Sequence, residues 1–309
     1  MGGALTADGS SPMGSRVDLH AHTTASDGVL SPAELVALAR GRGLAALGVT
    51  DHDSTEGLAA ALAAADAAVT VVPGVELSTD VPGGEIHVLG YFVDPRSPVL
   101  QGKLEMLREG RLRRGHRMVE RLNAAGVPIR IERVLEIAGD GAVGRPHVAR
   151  ALVEAGYAES IDDAFIRWLV PGRPGYVERQ RFTPVEAVGT ILEAGGVPVL
   201  AHPLHGLDAG EDSRAADAAR TFDAAEVERR VAELVAAGLG GLETYYAGYD
   251  AAAVAYLERL AAQYGLIRTG GSDFHGPGRA ELGSTPMPDD VQAEVVEWLR
   301  RAAGSSAPG

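Results

Sequence analysis

Along this chain, short apolar runs alternate with longer stretches in which apolar residues recur at helical spacing. Seven of the runs read as strands: Arg16–His20, Ala45–Thr50, Val69–Val75, Ile86–Phe92, Val197–Ala201, Gly241–Thr244 and Leu266–Gly270. Two of the intervening helices announce their starts. Ser31-Pro32-Ala33-Glu34 and Thr183-Pro184-Val185-Glu186 each place a hydroxyl at the N-cap, proline at the first helical position and a carboxylate three residues after the cap. Strands of parallel type alternating with helices predict an α/β architecture closed into a barrel, with chemistry gathered at the C-terminal ends of the strands.

The rhythm breaks between about Asp94 and Phe182. There the spacing predicts a long helix from Pro98 to about Ala125 and further helices near Pro146–Ala155 and Asp162–Leu169. Val127–Ile131 is the one extended candidate in this stretch. The pattern divides the chain into a disordered tail over 1–15, a barrel over 16–94 and 183–304, and a helical insert over 95–182 that caps the mouth. Arg111, Arg114, Arg117 and Arg121 fall on one side of the long helix. They read first as a solvated face paired with Glu105, Glu109 and Glu120, and second as a phosphate-binding stripe.

At 309 residues the chain can bury a large core. It has no cysteine, which removes disulfides, thiolate catalysis and sulfur-ligated metals. Any metal must be held by carboxylates and the nine histidines. Lys103 is the only lysine, leaving little room for Schiff-base chemistry. A net charge of −14 opposes binding to long nucleic acid, so an anionic partner must be small and met by a local positive site. No apolar run approaches the ~20 residues of a membrane span. The first residues lack the features of a signal peptide, so a cytoplasmic protein is expected. Met1-Gly2 through Thr6 fits the short myristoylation pattern, but nothing else points to a membrane.

The chemistry lies in six stretches that follow candidate strands. They are His20-Ala21-His22 with Ser26-Asp27-Gly28; Thr50-Asp51-His52-Asp53; Pro73-Gly74-Val75-Glu76; Ile86-His87-Val88; Ala201-His202-Pro203; and Ser272-Asp273-Phe274-His275. In the pairs His20/His22 and Asp273/His275 the members are two apart, so on an extended chain both point the same way. A lone histidine after a strand is usually a hydrogen-bonded core residue. Burying so many ionisable groups together without a cation would be very costly, and the set therefore reads as a metal site.

In this order the motifs resemble those of the PHP (polymerase and histidinol phosphatase) metallophosphoesterases, over roughly residues 16–94 and 184–285. The insert, with Gly144-Arg145-Pro146-His147 and Pro171-Gly172-Arg173-Pro174-Gly175-Tyr176, is similar to a stand-alone bacterial branch of that family acting on small nucleotides. The resemblance implies a distorted (β/α)7 PHP barrel with a helical insert over the C-terminal mouth, and two to three divalent ions (Mn, Fe or Zn). One ion would be held by His20, His22, Glu76 and Asp273. A second, sharing Glu76, would use His87 and His202. A third would take Asp27, His52 and His275. Aspartate at position 27, where some relatives have histidine, favours a harder metal such as Mn²⁺ or Fe²⁺.

The implied activity is hydrolysis of phosphate esters of small nucleotides by a metal-activated hydroxide. Substrates would be 3′,5′-nucleoside bisphosphates or nucleoside monophosphates, with 5′-3′ trimming of short oligonucleotides as an extension. Alternatives are a histidinol-phosphate-type phosphatase and a non-catalytic metal-binding PHP module. Asp273 and His202 are placed among the catalytic residues. If His202 is a ligand, His205 or metal-bound water would protonate the leaving alkoxide. Arg145 and Arg173 are the expected phosphate clamps, because a guanidinium matches phosphate geometry. His147 reads either as a phosphate contact or as the cap of its own helix. Asp51 and Asp53 read as partners orienting His52, or Asp53 as the N-cap of a helix beginning at Ser54. Glu243 supports a ligand or ends its strand. Tyr245 and Tyr246 stack on a base or fill the core, and His116 is expected on a solvated face.

Overall fold

Seven strands pair in chain order, β1(Val17–Asp18), β2(Ala46–Val49), β3(Thr70–Val81), β4(Gly84–Tyr91), β5(Val197–Leu200), β6(Gly241–Tyr246) and β7(Ile267–Gly271). The ring closes where the Leu19 N–H donates to the Gly270 carbonyl and the His22 N–H to the Phe274 carbonyl. The computed structural model describes residues 16–81, 84–139, 143–178, 182–204, 223–278 and 280–305. The tail over 1–15 and residue His205 lie outside the described residues. No helix among them is long and apolar enough to cross a membrane.

Ten helices complete the described chain: α1(Pro32–Gly41), α2(Leu58–Ala64), α3(Pro98–Ala124), α4(Ile131–Ala138), α5(Arg145–Glu154), α6(Ile161–Ala164), α7(Pro184–Glu193), α8(Ala224–Ala236), α9(Ala251–Tyr264) and α10(Asp289–Ser305). A wider turn over Phe165–Leu169 extends α6. Both expected capping boxes form. Ser31 and Thr183 hydroxyls accept from the N–H groups of Glu34 and Glu186, whose carboxylates return to the cap N–H groups.

Two expectations are corrected. The strands are not all parallel, since β4 runs antiparallel to both β3 and β5. The β3–β4 pair is a hairpin, in which β3 continues to Val81, six residues past its expected end. Val127–Ile131 is not a strand. The Val127 N–H bonds the Leu122 carbonyl and the Ile129 N–H bonds the Asn123 side chain, after which α4 starts at Ile131. Val127 and Ile129 fill the core of the helical region, and Pro128 between them has no N–H to give a ladder.

One large core packs Leu77 and Val88 of the sheet against Leu100, Leu104 and Leu107 of α3, Ile191 of α7 and Val231 of α8. A separate core forms among residues 118–177, including Met118, Leu122, Val134, Leu152, Phe165 and Leu169. Each buried aliphatic side chain in either core contributes about 1.5–3 kcal/mol. Helix α3 serves both: its first half belongs to the sheet and its second half to the helical region. The packing seam therefore falls inside α3, which brings its middle over the barrel mouth.

Candidate metal centre

Glu76 is the hub. It is fully buried on β3, and five imidazoles converge on its carboxylate. Oε2 lies 3.1 Å from His20 Nε2, 3.2 Å from His22 Nε2 and 3.1 Å from His52 Nδ1. Oε1 lies 2.9 Å from His87 Nδ1 and 3.2 Å from His202 Nε2. Burial alone would raise the proton affinity of Glu76, but the surrounding imidazoles hold it well below the usual carboxylate range. Around this hub the donors form three groups: His20, His22, Glu76 and Asp273; His52, Glu76 and His87; and His22, Asp27, His52 and His275.

His20 and His22 point together, whereas Asp273 and His275 follow the end of β7 at Gly271, with Asp273 out of the extended conformation, and join different donor groups. His20 and His22 both direct Nε2 at Glu76, and Asp273 Oδ1 lies 3.0 Å from His22 Nε2 and 3.4 Å from His20 Nε2. Asp27 Oδ1 lies 3.2 Å from His275 Nε2. These nitrogens and oxygens resemble a ligand shell in one further respect. His20 Nε2, both ring nitrogens of His22, His52 Nδ1, Glu76 Oε2 and Asp273 Oδ1 are buried without a hydrogen-bond partner. Orphaned polar atoms are costly in a folded protein, and a shared cation is what would satisfy them together. The donor set is nitrogen and oxygen only, which suits Zn, Fe or Mn.

The chain strains itself to aim these groups. His202 and Asp273 are not glycines, yet they adopt positive φ values of 25° and 53°, a region that L side chains visit only when their surroundings compel it. Beside them, a Cβ at Gly271 would come within 2.3 Å of the His20 Cβ. Only glycine there lets β7 approach the first ligand strand so closely.

Supporting contacts fix the shell. Glu243 takes His20 Nδ1 at 3.0 Å and the His202 backbone N–H at 2.8 Å, which leaves His20 Nε2 for the cluster. The Tyr246 hydroxyl donates to Asp273 Oδ2 at 3.0 Å, and its ring meets His202 edge-on. Glu243 and Tyr246 are three apart and would face opposite ways on a regular strand. A bulge between Glu243 and Tyr245 resets the alternation. Asp18, which the motifs did not single out, accepts from Ser272 N–H, Ser272 Oγ and Gly283 N–H, tying β1 to the Asp273 loop. A carboxylate inside the apolar run Val17–Leu19 was the available signal.

Charge follows from these contacts. Burial would lower His22, but the carboxylates of Asp273 and Glu76 pull it up to about 10. His52 goes the other way, down to about 4, because burial and the neighbouring His22 and His87 outweigh Glu76 and Asp27.

Other expectations meet mixed outcomes. Neither Asp51 nor Asp53 touches His52 in the described contacts. Asp51 accepts from Thr23 and Ser26 and shapes the loop carrying Asp27. Asp53 caps no helix, since α2 begins at Leu58; it accepts the Ser78 N–H and meets the Arg111 guanidinium. Tyr245 is core, and His116 is exposed. The four arginines of α3 do not share one fate. Arg111 reaches the mouth, Arg114 is buried on the Val177 carbonyl, Arg117 is exposed, and Arg121 bonds the Pro174 carbonyl. His147 Nδ1 accepts the Gly144 N–H and so caps its own helix. Arg145, partly buried at the start of α5, lies over the Phe165 ring. Arg173 is exposed on the loop that packs against α3 near Arg121 and Leu122. That is ten residues, or about 15 Å of helix, beyond Arg111.

A family model described as the PHP domain matches residues 18–162. Over 264 residues the chain is 36% identical to the 3′,5′-nucleoside bisphosphate phosphatase of Chromobacterium violaceum, covering 85% of this chain and 88% of that protein. Against the 5′-3′ exoribonuclease Rnm of Escherichia coli the identity is 36% over 263 residues, covering 84% and 85%. The solved structure of an amidohydrolase from Chromobacterium violaceum with bound sulfate superposes with a TM-score of 0.75 at 34% identity, covering 93% of this chain and 96% of that one.

Proposed function

Because this chain belongs to the PHP-domain family, we propose that it hydrolyses phosphate esters of small nucleotides, with nucleoside 3′,5′-bisphosphates as the first candidate and short oligonucleotides as the second. The protein is a metal-dependent phosphoester hydrolase, and the relatives it matches are named as a phosphatase and an exoribonuclease. The observation that carries the metal-dependent chemistry is the single carboxylate of Glu76 shared among five imidazoles, with buried donor atoms left unpaired around it, while the likeness to a nucleoside bisphosphate phosphatase and an exoribonuclease supports the nucleotide substrate.

His20, His22, Glu76 and Asp273 would hold one ion, Glu76, His87 and His202 a second, and Asp27, His52 and His275 a third. His22, His52 and Glu76 each appear in two of the three donor groups, so the ions would lie close together. Divalent metals bound there supply a water acidified to near neutrality and positive charge against the phosphoryl oxygens. The side chains do the rest. Glu243 keeps the His20 ring oriented, and Tyr246 holds the Asp273 carboxylate with one oxygen toward the cluster. Burial would raise Asp273, but His20, His22 and His275 keep it well below the usual carboxylate range, so it serves as an acceptor and not as a proton donor. His202 Nε2 faces Glu76, so the donor to the leaving oxygen would be either water or His205, which lies outside the described residues. Arg145 and His147, together at the start of α5, would meet substrate phosphate, while Arg173 would reach only a ligand longer than one nucleotide.

The test is a product analysis with Mn²⁺-loaded protein given adenosine 3′,5′-bisphosphate, AMP, a short RNA and histidinol phosphate. Inorganic phosphate from the bisphosphate is the expected result. Mononucleotides from the RNA would add the trimming activity. Turnover of histidinol phosphate alone would overturn the nucleotide reading.

A further inference from the structure

Glu85-Ile86-His87 on β4 repeats the spacing of His20 and His22 with a carboxylate in the first place. Residues two apart on a strand share a face, so Glu85 and His87 stand side by side, Glu85 nearer the outer end of the hairpin. The β3–β4 pair runs on past the cluster to reach it: Ser78 pairs with His87 and Asp80 with Glu85. The backbone here is pinned. Thr79 Oγ1 donates to the Ile86 carbonyl, between the two residues. The Asp80 N–H donates to the Phe182 carbonyl, and the Phe182 N–H returns to the Asp80 carboxylate.

Both ring nitrogens of His87 face a carboxylate. Nδ1 lies 2.9 Å from Glu76 Oε1, and Nε2 lies 3.5 Å from Glu85 Oε1. The ring stands edge-on to His52 and to His202, with centroids 5.0 and 5.1 Å away, so its angle affects both neighbours. Glu85 is 10% exposed and sits directly across the strand pair from Asp80. Like charges in that relation are unfavourable, so local strand pairing alone does not favour a carboxylate at position 85.

A metal takes one nitrogen of a neutral imidazole and leaves the proton on the other, and the partner of that second nitrogen decides which is which. At His20 the division is plain: Glu243 takes Nδ1, and Nε2 turns to the cluster. At His87 the two nitrogens exchange roles. Nδ1 looks inward to Glu76, and Nε2 looks outward to Glu85.

We propose that Glu85 is a positioning residue for the ion held through His87: by accepting the Nε2 proton it fixes the tautomer and ring angle that present Nδ1 beside Glu76. The proposal rests on the metal reading above and goes beyond it, since Glu85 belongs to none of the three donor groups.

The test follows Zn²⁺ binding by chelator competition in wild type, Glu85→Leu and Glu85→Gln. In Glu85→Leu one bound ion should weaken about 10-fold while the others stay within about twofold. That is the low end for such partners, because 3.5 Å is longer than the 3.0 Å between Glu243 and His20. The amide oxygen of Glu85→Gln still accepts a proton, so its loss should be smaller. Equal weakening of every ion would mark a general fold defect and overturn the proposal. A second readout needs no variant: nitrogen-15 histidine shifts of Zn²⁺-loaded wild type should show His87 bound through Nδ1 and protonated at Nε2. The reverse assignment would overturn the proposal. Wild type that bound no Zn²⁺ would sink the metal reading itself, whereas normal binding left unaltered in Glu85→Leu would sink this proposal alone.

Discussion

The barrel mouth and the helical region beside it constrain their residues to very different degrees. At the mouth each side chain answers several neighbours at once: Glu76 meets five imidazoles, and Asp273 meets His20, His22, His275 and Tyr246. In the helical region the apolar core is as well buried, but the four arginines of similar spacing on α3 have four different fates. Chemistry at the mouth over-determines its residues. The helical region specifies packing tightly and leaves its charged groups to be set by whichever loop lies beside them.

The sharpest way to break that contrast is to change the hub. Glu76→Gln keeps the shape and removes the charge shared by the imidazoles, so kcat/KM should fall at least about 100-fold, with loss of bound metal in elemental analysis. If activity survived, the mouth would be no more constrained than the insert. One contact farther out, Glu243→Gln should weaken metal affinity about 10- to 100-fold in chelator competition, because His20 loses the carboxylate that orients it.

On the other side of the comparison, Leu122→Ala should lower unfolding free energy by about 2–5 kcal/mol while the protein, once folded, keeps its metal affinity. Chemical denaturation with parallel metal titration checks both halves. Arg145→Met should raise KM for a nucleotide substrate about 10-fold without changing metal content.

A proton count probes the mouth alone. His22, drawn up to about 10 by Asp273 and Glu76 against the effect of burial, carries a proton at neutral pH in chelator-treated protein. A metal needs the neutral ring, so binding must release that proton, and affinity should rise as pH increases from 6 toward 10. Calorimetry in buffers of different ionisation enthalpy should detect the release.

The same contrast explains what could be read from the sequence. His20, His22, His52, Glu76, His87, His202, Asp273 and His275 were legible because they end apolar strands, and the fold brings all of them, with Asp27, to one point. The capping boxes at Ser31 and Thr183 were legible because capping is local. The antiparallel course of β4 was not, since a strand buried on both faces reads alike in either direction. Tyr246 was obscured by the bulge after Glu243, which changes which way the strand's residues face. Arg111 was named only as one of four, because nothing in helical spacing says which arginine will meet Asp53.

The most direct test of the central claim is phosphate release from adenosine 3′,5′-bisphosphate as Mn²⁺ is titrated into chelator-treated protein, beside Glu76→Gln. The Glu76-centred site predicts a rate that rises from baseline, saturates at two to three equivalents, and fails to recover in the variant. A full rate in excess chelator, or full recovery in Glu76→Gln, would contradict it.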